Sequence, residues 1–328
     1  MSEAIDRNLA LELVRVTEAA ALSAGRWMGR GDKEAADQAA VDAMRLVLGT
    51  VQMDGIVVIG EGQKDEAPML YIGERVGGAP EPKVDIAVDP IDGTRLLSLG
   101  MPNAISVVAM ADRGSLFASP DIMYMEKIAV GAEAAGTIDI NDSVEHNLQR
   151  IAKAKRREVG DLLVVILDRP RHEDLVKEVR ATGARIKMIT DGDVAGGVMA
   201  AMPDTGIDVL IGIGGAPEAV VAACALKCIG GDMQCKLWPR NDQERQVAAE
   251  QGIPLERVLG IDDLVSGDNV FFAASGITDG ELLRGVHYFG SGATTQSVVM
   301  RSRSGTVRRI DAVHQLAKLR ELGAIPFD

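Results

Sequence analysis

The chain is poor in aromatic residues. Phe, Trp and Tyr together make up 3% of its 328 residues, so a core has to be built from Ala, Val, Leu, Ile and Met. Cysteine is scarce too. Cys224, Cys228 and Cys235 are an odd number in a long chain, which argues against a disulfide framework and for a reduced, cytoplasmic protein. Cys224 and Cys228 share a helix face, but no histidine stands near them to complete a zinc site, so buried thiols are the simpler expectation. No apolar run approaches the ~18 residues of a membrane span, and nothing near the first residue reads as a signal peptide. Positive charge is in deficit: the formal net charge is −13. That argues against a nucleic-acid backbone or an anionic membrane as partner. It does not argue against a phosphorylated small molecule, because a metal or a few arginines can reverse the field locally. No Walker-type Gly-Lys-Ser/Thr occurs, so an ATPase is not expected.

What is present is aliphatic residue in quantity, with hydrophobic residues at 47%. The length suggests two domains or one large layered α/β domain. Spacings of three and four predict helices over 4–28 and 34–51, the second carrying Asp37 in its first turn, where complementing the helix dipole would be its plainest role. A buried strand over 55–59 delivers Gly60-Glu61-Gly62, an acid with room to turn. Val84, Ile86 and Val88 alternate with Asp85, Ala87 and Asp89 as a strand, and Pro90 is expected to stop its ladder. Asp92, Gly93 and Thr94 follow, with Thr94 as the cap of a short helix reaching about Leu99. Two carboxylates, a hydroxyl and a helix start within six residues suit a divalent metal held beside a phosphate.

After this stretch short antiparallel strands are expected at 104–111, 115–118, 127–130 and 137–140, with Tyr124 at an edge. From about residue 141 strands and helices alternate, which predicts a mainly parallel sheet. The strands fall at 162–167, 185–189, 207–213 and 232–237, with helices over 144–156, 172–182, 194–202 and 217–229. Polar groups sit at the strand ends, where open α/β sheets place ligands. They are Arg169-Pro170-Arg171, Asp191-Gly192-Asp193 and Gly212 through Glu218. The last strands are expected at 269–274 and 297–302, with a closing helix over 311–322. A boundary near residue 160 divides the chain into halves 1–160 and 161–328.

The run Asp89-Pro90-Ile91-Asp92-Gly93-Thr94 resembles the signature of the lithium-sensitive, metal-dependent phosphatase superfamily. Taken with Gly29-Arg30-Gly31-Asp32-Lys33, Gly60-Glu61-Gly62, Ala67-Pro68-Met69-Leu70-Tyr71, Tyr124-Met125-Glu126-Lys127, Arg169-Pro170-Arg171-His172, Asp191-Gly192-Asp193 and Gly212 through Glu218, it makes nearly the whole chain similar to the bacterial class II fructose-1,6-bisphosphatases. The resemblance implies a layered α/β sandwich, with a mixed sheet in the first half and a mainly parallel one in the second. It implies hydrolysis of the 1-phosphate of fructose 1,6-bisphosphate in gluconeogenesis with Mg²⁺ or Mn²⁺, by a cytoplasmic homo-oligomer, dimer or tetramer.

It also implies that Asp37 and Glu61 hold one metal and Asp89, Asp92 and Glu218 another, with Thr94, Asp37 and Glu61 as the catalytic groups. Substrate contacts carry over to Asp92, Gly93, Thr94, Tyr124, Arg169, Pro170, Arg171, Asp191, Gly192, Asp193 and Gly215. Two positions depart from or vary within the family pattern: Gln63 stands where many relatives carry an acid, and Arg95 where either Thr or Arg occurs. The ligand set is all oxygen, which favours Mg²⁺ or Mn²⁺ over zinc. Sedoheptulose 1,7-bisphosphate as substrate, an aspartyl-nucleophile phosphatase using Asp191-Gly192-Asp193, and a non-catalytic sugar-phosphate-binding regulator stay open as alternatives.

Overall fold

Alternating and buried strand patterns fold here into two separate sheets. The computed structural model describes residues 9–62, 69–118 and 122–321. Along the chain these form α1 (Leu9–Ala24), α2 (Lys33–Leu48), β1 (Asp54–Ile59), β2 (Arg75–Val76), β3 (Lys83–Asp92), α3 (Thr94–Ser98) and β4 (Ile105–Asp112). Next come β5 (Tyr124–Val130), α4 (Val144–Lys155), β6 (Leu163–Leu167), α5 (Glu173–Ala181), β7 (Arg185–Ile189), α6 (Asp193–Ala201) and β8 (Val209–Gly215). The remainder is α7 (Ala216–Ile229), β9 (Asp232–Leu237), α8 (Asp242–Gln251), β10 (Leu259–Gly260), α9 (Ile261–Leu264), β11 (Phe271–Gly276), β12 (His287–Phe289), β13 (Gly292–Arg301), β14 (Thr306–Gln315) and α10 (Leu316–Glu321). Among the described residues no helix is long and apolar enough to cross a membrane.

The chain divides into two compact units, 1–114 with 269–328, and 115–268. The boundary expected near residue 160 thus falls inside the second unit. A change of period is visible locally, but sheet membership is settled by pairing between distant strands. β11 returns to lie antiparallel to β4, with Phe271 opposite Met110 and Ser275 opposite Ser106. That pairing brings residues after 268 back to the first sheet.

In the first unit the strand order is β12-β13-β11-β4-β3-β1-β2, with β14 on the other side of β13. β1 and β3 are parallel and the other pairs antiparallel. α1 lies against β11 and β13 and packs on α2. The core is aliphatic as expected, with Leu13, Met44, Leu48, Ile86 and Leu97 fully buried, and Phe271 as its aromatic member. Two expectations fail here. Pro90 does not end β3; the strand runs on to Asp92 through a register shift between Asp89 and Asp92, the irregular geometry that lets a sheet accept proline. Residues 311–315, expected in a helix, belong to β14 and pair residue by residue with β13. The β-branched residues at 306, 307, 310 and 313 suit that half-exposed strand.

In the second unit the order is β10-β9-β5-β8-β6-β7. Only β8-β6-β7 is parallel; β5 runs antiparallel to both neighbours. The sheet is therefore mixed rather than mainly parallel, because β5 inserts between β9 and β8. Residues 115–118 and 137–140 form no strand beyond a single bridge from Leu116 to Val265. α7 is buried along most of its length, and Cys224, Cys228 and Cys235 are buried free thiols. Burial pushes the Cys235 thiol up to about 12, well out of the reactive range.

Candidate active site: two polar clusters at strand ends

In the first unit the acids gather where β3 ends. The Asp89 carboxylate accepts from the Ile91 backbone N–H at 3.1 Å, which holds it across the bulge. Asp92 is buried at 3% exposure. Gly93 takes the left-handed conformation at φ 97° and caps α3, so Thr94 is the first helical residue and not the cap. Its hydroxyl is used elsewhere: it donates to Asp37 Oδ1 at 3.1 Å and lies 3.2 Å from the Ile91 carbonyl. Asp32, not Asp37, caps α2, accepting from Ala35 N–H at 3.0 Å. Asp37 stands one turn further in. The dipole reading of Asp37 and the cap reading of Thr94 both give way to a direct bond between them. Arg95 is exposed.

β1 and β3 are parallel neighbours, with Ile59 opposite Ala87. That register carries Glu61 and Asp89 to the same end of adjacent strands. Gly60 is needed there, because a Cβ would fall 2.0 Å from the Leu70 carbonyl oxygen. The Glu61 N–H donates to that carbonyl at 3.0 Å, and the Glu61 residue is exposed. Gln63 and the run 67–68 lie outside the described residues.

In the second unit a cavity of about 220 Å³ opens at the ends of β6, β7 and β8. Tyr124, Arg169, Arg171, Asp191, Asp193, Gly215 and Glu218 line it, all named from the sequence; Arg240 lines it too. Arg171 gives two N–H groups to the Ile213 carbonyl, at 2.7 and 3.2 Å, and its guanidinium lies 5.0 Å above the Tyr124 ring. Burial and the nearby Arg169 pull its pKa down, while Tyr124 and Asp193 oppose them. Arg169 is held by the Asp168 and Thr190 carbonyls at 3.0 and 2.7 Å and stands 3.8 Å from Asp191. Pro170 and Gly192 act through the backbone. Pro170 opens the turn 170–172, and Gly192, left-handed at φ 83°, caps α6.

His172 locks this loop. The Ile213 N–H donates to its Nε2 at 2.7 Å, so the ring proton is on Nδ1, which donates to the Leu167 carbonyl at 2.7 Å. Burial lowers its pKa and keeps it neutral.

The most concentrated electrostatics lie beneath the cavity. Lys127 Nζ is 2.6 Å from Asp193 Oδ2 and 3.1 Å from the Gly215 carbonyl, with both side chains buried. Burial opposes the Lys127 charge, but Asp193 and Glu218 outweigh it and hold the pKa above its ordinary value. Glu218 is pushed up by burial and then by Asp193, against the pull of Lys127. Two consecutive glycines make room. A Cβ at Gly214 would meet Asp193 Oδ2 at 1.9 Å, and one at Gly215 would meet Glu218 Oε2 at 1.8 Å.

Glu218 Oε2 is buried and has no hydrogen-bond partner among the described residues. An orphaned carboxylate oxygen among hard oxygen donors fits a divalent cation. Among the described residues no three His, Cys, Asp or Glu side chains already form a finished cage.

Lys127 and Arg240 carry site geometry that the sequence reading did not assign. Lys127 was in plain view in Tyr124-Met125-Glu126-Lys127, and a lysine leading directly into the apolar run Ile128-Ala129-Val130 is a signal of buried pairing. Arg240 lies 5.6 Å over the Tyr124 ring, opposite a motif far from it in sequence, and offered no comparable signal.

Comparison with known proteins identifies the family. The family model described as "Bacterial fructose-1,6-bisphosphatase, glpX-encoded" matches residues 7–314. The "Fructose-1,6-bisphosphatase class 2" of Haemophilus influenzae is 47% identical over 96% of this chain and 98% of its own length. The "Fructose-1,6-bisphosphatase 1 class 2" of Escherichia coli is 47% identical over 94% of this chain and 96% of its own. A match of that extent, on a chain whose strand ends carry these acids and arginines, makes it a member of the bacterial fructose-1,6-bisphosphatase family.

Proposed function

We propose that this chain hydrolyses fructose 1,6-bisphosphate to fructose 6-phosphate and phosphate, in gluconeogenesis, with a divalent metal. The observation that carries the reading is the 47% identity, over nearly the full length of both chains, to curated class 2 fructose-1,6-bisphosphatases. In the first unit the carboxylates of Asp37, Glu61, Asp89 and Asp92 are groups that would take a divalent metal, and in the second unit the orphaned oxygen of Glu218 is another. Hard oxygen donors favour Mg²⁺ or Mn²⁺. When bound, the metal would supply Lewis acidity toward the phosphoryl oxygens and a more acidic attacking water.

The chain's own groups do the rest. The Thr94 hydroxyl, fixed on Asp37, can accept a proton from water while passing its own to the carboxylate, which orients the attack on phosphorus. Arg169 and Arg171, held by backbone carbonyls, present their remaining N–H groups to the second phosphate. Gly93 and Gly215 offer close backbone approach. Asp191 and Asp193, with Gly192 shaping their turn, accept from sugar hydroxyls, and Tyr124 and Pro170 shape the wall. A cytoplasmic location is in keeping with the buried free thiols, and a homo-oligomer belongs to the same proposal.

The test is phosphate release from chelator-treated protein, with fructose 1,6-bisphosphate, sedoheptulose 1,7-bisphosphate or fructose 6-phosphate, and Mg²⁺ or Mn²⁺ restored. Release from fructose 1,6-bisphosphate only after metal addition is expected. No release with either metal sinks the reading, and faster release from the heptulose bisphosphate moves the substrate.

A further inference from the structure

The second unit holds another cavity, of about 300 Å³, which shares Arg171 with the cavity at the strand ends. Strand register sets its floor. Across β5 and β8, Ile128 stands opposite Ile211 and Glu126 opposite Ile213. Alternation therefore puts these four side chains on one face of the sheet and the Lys127 ammonium on the other, against Asp193. Ile140 and Val144, before and at the start of α4, and Leu175 of α5 add apolar wall. All of these apolar side chains except Ile128 are only half-buried. The cavity thus presents apolar surface that the chain itself leaves uncovered, the usual lining of a small-molecule site.

Of the charged and amide side chains lining it, all but two are spent on the protein. Asp142 accepts from Arg150 at 2.6 Å and lies 2.9 Å from His146 Nδ1. The Asn147 amide donates to the Asp139, Asp142 and Ser143 carbonyls. Arg171 and His172 are tied to Ile213. The exceptions are Glu126 on the floor and Glu178 on α5, which is exposed at the rim. Among the described residues no hydrogen bond or ion pair reaches either carboxylate. Burial of Glu126 raises its pKa, and Lys236, its neighbour on β9, pulls the other way. Lys236 itself bonds Asn141 at 3.3 Å and pairs with Glu256 at 3.5 Å. The charged groups left over are two acceptors and no donor, so a matching ligand brings positive charge and N–H groups on an apolar stem. A bare metal ion would leave the apolar walls uncovered, and an anion would face two carboxylates.

We propose that this cavity binds a small aliphatic diamine, with one ammonium on Glu126 at the floor, the other on Glu178 at the rim, and the stem along Ile211, Ile213 and Leu175.

Titration calorimetry on the Mg²⁺-loaded protein, with 1,5-diaminopentane as the probe, tests this. One site per chain is expected, with 1-aminopentane binding more weakly and pentanoate not at all. Glu126→Gln should weaken the diamine about tenfold or more, the scale of one charge-assisted contact. Glu178→Gln changes an exposed side chain and leaves the core alone, so it keeps the test open if Glu126→Gln fails to fold. In that variant the diamine and the monoamine should bind equally. Asp191→Asn should leave binding as it is, because Asp191 lines the other cavity. Melts of each variant without ligand show that it is folded. No binding of 1,5-diaminopentane, a folded Glu126→Gln variant that binds it as the wild type does, a diamine preference that survives Glu178→Gln, or loss of binding in Asp191→Asn would each overturn the inference.

Discussion

The Thr94 hydroxyl donates to Asp37 at 3.1 Å, joining the first residue of α3 to the second turn of α2 across 57 positions of sequence. A threonine spent on a carboxylate is not capping its helix, so removing it takes away a preorganised polar group at an acidic site. Thr94→Ala should lower kcat by roughly 10²–10³, the scale of losing one such group from a transition state. Thr94→Ser keeps the donor and should retain most activity. Steady-state kinetics on both variants, with thermal melts, check this; an Ala variant with normal kcat would leave the bond a structural tie.

Lys127 neutralises a buried pair of acids that otherwise repel each other. Lys127→Met leaves Asp193 and Glu218 uncompensated, and breaking a buried pair from one side costs ~3–5 kcal/mol. A fall in melting temperature and a loss of turnover are expected together. Adding Asp193→Asn to Lys127→Met should recover stability without recovering activity, because a neutral amide oxygen accepts a hydroxyl more weakly than the carboxylate does. Melts and phosphate release on the pair separate the two effects.

Arg171 spends its planar fork on one carbonyl and its face on Tyr124, and lysine has neither a fork nor a flat face. Arg171→Lys should raise KM for fructose 1,6-bisphosphate about tenfold or more, since a charge-assisted contact is worth ~1.5–3 kcal/mol, with a smaller change in kcat. An unchanged KM would remove Arg171 from the phosphate contacts.

Glu18 on α1 is held protonated by burial, its pKa raised from 4.5 to about 7, even though Thr295 donates to it at 3.3 Å. Between those values the folded chain binds a proton that the unfolded chain has released. Stability from this group is therefore full below 4.5 and lost as pH rises through about 7. Glu18→Gln keeps an acceptor for Thr295 and removes the titration. The variant should melt above the wild type at pH 8, with the gap closing toward pH 5. A gap that does not change with pH would show that packing, not charge, sets the difference.

The placement of many candidate site residues was legible in the sequence, because local spacing decides which residues a strand end delivers. Alternation over 84–88 placed Asp89 and Asp92 at the end of β3, and βα alternation placed Arg169, Arg171, Asp191, Asp193 and Glu218 at successive strand ends. Strands 185–189 and 232–237 match β7 and β9 residue for residue. The aliphatic core followed from composition alone. What the tertiary structure decided is what depends on partners far apart in sequence. β11 returned to β4 and moved the unit boundary away from residue 160. β5 entered between β8 and β9, which made the second sheet mixed and buried Lys127 against Asp193. Residues 311–315 became strand because β13 offered them an edge. Periodicity reports which face of a segment is apolar; it carries no record of which distant strand will satisfy the backbone hydrogen bonds.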